Sequence, residues 1–118
     1  MATPVGPYTP IVRAGDWLVV SGQVGIVDGK LVSGGLDGEL RQAIANLAAL
    51  LASEGATLSD VTKTTVFLRH LGGDYPRMNE LYVELFGDHR PARSAIGVAE
   101  LPLGALVEVE AWAHVGTG

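Results

Sequence analysis

Apolar and polar positions follow two different periods along this chain. Residues 17–24, bounded by Gly15-Asp16 and Gly25, are rich in apolar and β-branched side chains and predict a strand. Asp28-Gly29 supplies a turn in which glycine takes a positive φ, and residues 30–33 return, so a β-hairpin is expected, with a further short strand at 10–13. From Leu36 the spacing lengthens. Leu40, Ile44, Leu47 and Leu51 fall on one stripe of a helix entered near Asp37 and ended before Gly55. Residues 61–68 return to a strand pattern behind the turn chemistry of Ser59-Asp60. Met78, Leu81, Tyr82, Leu85 and Phe86 then predict a second helix between Asp74-Tyr75-Pro76 and Gly87, with the proline in its first turn. Two strands, 92–99 and 105–115, follow on either side of Leu101-Pro102-Leu103-Gly104. The order β-β-α-β-α-β-β, without repeat or linker, predicts one α+β domain over residues 1–118.

Strand alternation also assigns faces. In the last strand Val107, Val109, Ala111, Ala113 and Val115 are expected under the helices, leaving Glu108, Glu110, Trp112 and His114 on the other side. Taking Ile96 and Val98 as core-facing puts Arg93, Ala95 and Gly97 on that other side as well, so Arg93 is expected to share a face with Glu108. In residues 17–24, Leu18, Val20 and Val24 form the core set, while Trp17, Val19, Ser21 and Gln23 face away. A face mixing Trp17, Val19 and Trp112 with carboxylates is expected to be covered by another subunit. Taken alone, an arginine and a glutamate on adjacent strands more commonly form an ion pair than a catalytic site.

Composition narrows the function. The 118 residues are 47% apolar, as a globular chain requires, and the net charge is −5 with eight scattered Lys and Arg. No basic track exists for a nucleic acid, although one arginine in a pocket still suffices for a small carboxylate. Cysteine is absent, which removes thiolate chemistry. The first seven residues lack the basic and apolar regions of an export signal, and the apolar run at 43–52 is too short to span a bilayer, so a cytoplasmic location without membrane contact is expected. His70, His89 and His114 lack metal-pair spacing, so no metal is expected. Ser94 lacks a nucleophile-elbow context, and Asp37 and Glu39 would repel a phosphate from the Gly34-Gly35-Leu36-Asp37-Gly38 loop.

A colinear set of motifs spans residues 6–113. It comprises Gly6-Pro7-Tyr8-Thr9, Val20-Ser21-Gly22-Gln23-Val24, Arg41-Gln42-Ala43 through Asn46-Leu47, and Val61-Thr62-Lys63-Thr64-Thr65-Val66-Phe67-Leu68. Met78-Asn79-Glu80-Leu81-Tyr82 with Phe86, Pro91-Ala92-Arg93-Ser94, and the run from Leu101 to Ala111 complete it. In this order the motifs resemble those of the RidA (YjgF/YER057c/UK114) family of enamine and imine deaminases. The resemblance implies a chorismate-mutase-like α+β fold, with two helices on one face of a mixed sheet, and a sheet-packed homotrimer with three clefts between subunits. It also implies that Arg93 binds a substrate carboxylate, that Glu108 positions the hydrolytic water, and that Tyr8, Ser21 and Asn79 contribute to substrate binding. Asn79 could equally serve to hold the helix or a loop by hydrogen bonds. The implied ligand is a small 2-imino or 2-keto acid. A 2-imino acid is already electrophilic, so its hydrolysis needs orientation, water and proton transfer rather than a cofactor. Alternatives from the same resemblance are a regulatory trimer that binds carboxylates without turnover, and an endoribonuclease or translation inhibitor. The sequence departs from the family pattern at Gly25, commonly proline, at Ala95, cysteine in some members, and in a shortened hairpin.

Overall fold

In the computed structural model, which describes residues 6–116, two helices cover one face of a five-stranded sheet. The export-signal reading of residues 1–5 lies outside the described residues. The elements are β1 (Ile11–Ala14), β2 (Trp17–Gln23), β3 (Ile26–Val27), β4 (Lys30–Leu31), α1 (Gly35–Ser53), β5 (Val61–Leu68), α2 (Leu71–Phe86), β6 (Ala92–Gly97) and β7 (Val107–His114). Spatially the large sheet runs β1-β2-β7-β5-β6. Its pairings are antiparallel except β5 with β6, which are joined through α2 as a parallel connection requires.

Helix α1 buries Leu36, Leu40, Ala43, Ile44, Leu47, Leu50 and Leu51, and α2 buries Met78, Leu81, Tyr82 and Phe86. Both meet a sheet face made of Leu18, Val20, Val61, Val66, Leu68, Val107, Val109, Ala111 and Ala113, which removes a single continuous apolar cluster from water. No helix among the described residues is long and apolar enough to cross a membrane.

The hairpin differs from the sequence reading. Strand β2 pairs with β1 through the Gly15-Asp16 turn, and Asp28-Gly29 closes a separate β3–β4 ladder. Asp28 and Gly29 have φ of 52° and 78°, the left-handed pair of a type I′ turn. The chain leaves the large sheet because the Asn46 amide of α1 donates to the carbonyls of Val24 and Ile26, at 3.2 and 3.0 Å. Gly25 permits that approach: a Cβ there would lie 2.5 Å from the Glu39 carbonyl oxygen.

Helix α2 also begins earlier than expected, at Leu71, so Pro76 lies inside it rather than in its first turn. Leu71 packs against the core cluster, and the Asp74 amide donates to the His70 carbonyl at 2.9 Å, which nucleates the extra turn. Pro76 has no N–H to give to the Gly72 carbonyl.

Candidate active site

The sheet has an open face opposite the helices. Strand β7 alternates as its sequence predicts: Val107, Val109, Ala111 and Ala113 are buried, and Glu108, Glu110, Trp112 and His114 lie on the open side. Register places Val12, Trp17, Ile96 and Trp112 on that side too, and all four are exposed. Trp17 meets Trp112 and His114 edge to face, at centroid distances of 6.2 and 4.9 Å.

Glu108 is half-buried on this face, opposite Phe67 of β5. On its other flank the β2–β7 register slips by one residue between Val20 and Gln23, a bulge at Ser21-Gly22. Gly22 provides the carboxylate with its space, because a Cβ there would stand 2.6 Å from Glu108 Oε2. Burial pushes the Glu108 carboxyl above its usual range, and the nearby Glu110 charge adds to the shift. The result is a desolvated carboxylate with raised basicity. The bulge also turns Gln23 away from this face, contrary to simple alternation: Gln23 lies opposite buried Val109.

Arg93 is not on this face, and that corrects the sequence reading. Register sets Arg93, Ala95 and Gly97 opposite Thr64, Val66 and Leu68, all fully buried on the helix side. Ile96 instead lies opposite Phe67 on the open side and is 44% exposed. Apolarity at Ile96 marks the open face of an edge strand, while the long arginine stem crosses the helix side to reach aromatic rings. The Arg93 guanidinium carbon lies 4.9 Å from the Tyr82 ring centroid and 5.6 Å from that of Tyr75. Its Nη2 donates to the Tyr75 hydroxyl at 3.2 Å, and its Nη1 points to Met78 Sδ at 3.6 Å. No carboxylate pairs with Arg93 among the described residues. A cross-strand Arg93–Glu108 ion pair is therefore not formed within the chain.

Beside Arg93 a groove of about 510 Å³ is lined by Leu71, Gly72, Tyr75, Pro76 and Ala95. Behind it the Tyr82 hydroxyl lies 2.7 Å from that of buried Thr64. Burial pushes the Tyr82 phenol up, so it stays neutral. Sequence periodicity marked Tyr82 only as core and Tyr75 only as a helix entrance. The signal that could have found them is their spacing of seven residues, which sets both rings on one side of α2.

The remaining expected site residues separate in the same way. The Ser21 hydroxyl donates to the Thr9 carbonyl at 2.7 Å, and the Ser21 amide donates to the Pro10 carbonyl at 2.9 Å. Ser21 thus fixes the segment that carries exposed Tyr8 along β2, the strand that flanks Glu108. Asn79 lies in α2, one turn beyond Tyr75, and its buried Oδ1 has no hydrogen-bond partner among the described residues. No side-chain hydrogen bond of Asn79 braces the helix or a loop among the described residues. His89 Nε2 lies 2.7 Å from the Val61 carbonyl, while His70 precedes the first turn of α2 without a side-chain capping bond and His114 packs on Trp17, so the three histidines are dispersed.

Residues 1–115 match the model of the family described as Endoribonuclease L-PSP. The human 2-iminobutanoate/2-iminopropanoate deaminase is 40% identical over 114 residues, covering 95% of this chain and 82% of that protein. A solved structure from Thermotoga maritima matches with TM-score 0.89 and 42% identity over 97% of this chain and 90% of its own. Escherichia coli TdcF, solved with bound serine, matches with TM-score 0.89 and 30% identity over 96% of this chain and 91% of its own.

Proposed function

The chain belongs to the Endoribonuclease L-PSP family, the YjgF/RidA family, and from that premise we propose that it hydrolyses 2-imino acids and their enamine tautomers to 2-keto acids and ammonia. The observation that carries this reading is the pair of chemically complementary groups: a guanidinium without a carboxylate partner among the described residues, beside a groove, and a partly desolvated carboxylate with raised basicity.

Arg93 holds the substrate carboxylate through paired N–H donors. Glu108 accepts a proton from water as its oxygen adds to the carbon of the protonated imine, whose nitrogen becomes a neutral amine. Proton return from Glu108 makes that amine an ammonium leaving group, and the C–N bond breaks as the new hydroxyl gives up its proton and becomes the carbonyl, releasing ammonia. Water supplies the oxygen, and no electrons are gained or lost.

Carboxylate and imine carbon are adjacent atoms, so both groups must approach to roughly 3 Å of one small molecule. Within one chain they lie on opposite faces of the sheet, on strands separated by β5. The site is therefore composed of Arg93 from one copy and Glu108 from a neighbouring copy. Exposed Val12, Trp17, Ile96 and Trp112 give the open face a reason to be covered by other copies, which supports a homotrimer with three clefts. Tyr8 and Ser21 belong to the Glu108 half of each cleft. Their roles are packing and placement of the flanking segment.

Ammonia release from an imino acid generated in situ tests the activity. Wild-type protein is expected to accelerate release over spontaneous hydrolysis, with rates that differ among imino acids derived from several amino acids. Binding of a keto acid without any acceleration would support a regulatory carboxylate binder instead. The ribonuclease alternative has little electrostatic support in a chain of net charge −5.

A further inference from the structure

Resting on the reading of Arg93 as carboxylate anchor, we infer that Tyr75 is a positioning residue that fixes the plane of the Arg93 guanidinium before the substrate arrives. An arginine side chain is long and rotatable, and a bidentate fork is useful only when its plane is held. Here two rings restrict it. Tyr82 is buried in the core with its hydroxyl 2.7 Å from that of Thr64, and its ring lies 4.9 Å from the guanidinium carbon. Tyr75 is the second contact, 39% exposed on the groove wall, with its ring 5.6 Å away and its hydroxyl accepting from Nη2 at 3.2 Å.

Donor arithmetic shows why this contact helps binding rather than blocking it. Each terminal guanidinium nitrogen carries two N–H groups. The Tyr75 hydroxyl takes one from Nη2, and Met78 Sδ faces one from Nη1. One N–H on each nitrogen is left for a carboxylate, with the plane already set. Tyr75 contributes to this from the exposed end of α2, so its removal does not open the core.

The test compares Tyr75→Phe and Tyr75→Ala with wild type by titrating two stable keto acids, glyoxylate and 2-oxobutanoate, followed by NMR, with thermal stability and oligomeric state measured on each preparation. Tyr75→Ala is expected to weaken both ligands by about tenfold, the scale of a lost cation–π contact and hydrogen bond together. Tyr75→Phe keeps the ring and is expected to lose about threefold. The losses should be equal for the two ligands, because the effect passes through the shared carboxylate, and the melting temperature should not move. A loss confined to 2-oxobutanoate would make Tyr75 a wall for the substrate side chain and overturn the inference, as would wild-type affinity in Tyr75→Ala. If wild-type protein bound neither keto acid, the anchor assignment itself would fall, and the inference with it.

Discussion

Glu108→Gln is expected to fold and assemble as wild type while losing about two to four orders of magnitude in kcat, the range supplied by a placed general base. The amide keeps the shape over Gly22 but cannot take the proton from water. Stability separates this from a folding defect. Burial raises the Glu108 pKa, so its contribution to stability is fully present below the ordinary carboxylate range and is lost as pH rises through the raised value. Above that raised value the ionised side chain opposes folding, and there the neutral amide should melt no lower than wild type. The same shift predicts that kcat/KM climbs with pH along an acid limb whose midpoint lies above the ordinary carboxylate range. Glu110→Gln removes a like charge and should move that midpoint down while keeping most turnover. Equal, large losses in both variants would deny Glu108 its special role, and wild-type turnover in Glu108→Gln would remove it from the mechanism.

Arg93→Ala is expected to lower kcat/KM by about ten- to a hundredfold or more, since a charge-assisted hydrogen bond contributes about 1.5–3 kcal/mol and lost orientation adds to lost binding. Arg93→Lys should recover only part of this, because an ammonium restores charge without the planar fork that the Tyr75 contact orients. The guanidinium has no carboxylate partner among the described residues, so neither change breaks an ion pair there. Steady-state kinetics and melting curves on the same preparations decide between a ligand anchor and a structural arginine. A variant that melts lower yet hydrolyses imino acids at the wild-type rate would identify Arg93 as structural.

Much of the fold was legible because burial in this chain is one-sided. The alternation of β7 and the leucine stripe of α1 each had two chemically distinct faces to report. Strand β6 misled because it is an edge strand, where an isoleucine can face outward and an arginine can run over aromatic rings on the helix side. The one-residue bulge at Ser21-Gly22 left only a glycine as its sequence trace, and it cancelled the alternation rule for Gln23. Contacts distant in sequence set the other differences: Asn46 capping the Val24 and Ile26 carbonyls ends β2, and Leu71 docking on the core lengthens α2. The residues proposed for the site come from the family resemblance. That Arg93 and Glu108 lie on opposite faces of the sheet was not legible, because it depends on pairing register.

That separation yields the most direct measurement of the central proposal. Arg93→Ala and Glu108→Gln chains, each nearly inactive alone, are unfolded together in equal amounts, refolded, confirmed as trimers by light scattering, and assayed for ammonia release from 2-iminobutanoate. In a cyclic trimer whose clefts draw Arg93 and Glu108 from neighbouring copies, random mixing leaves about one cleft in four with both native residues, so about a quarter of wild-type activity should return. Mixed trimers no more active than the separate variants would contradict a site shared between copies.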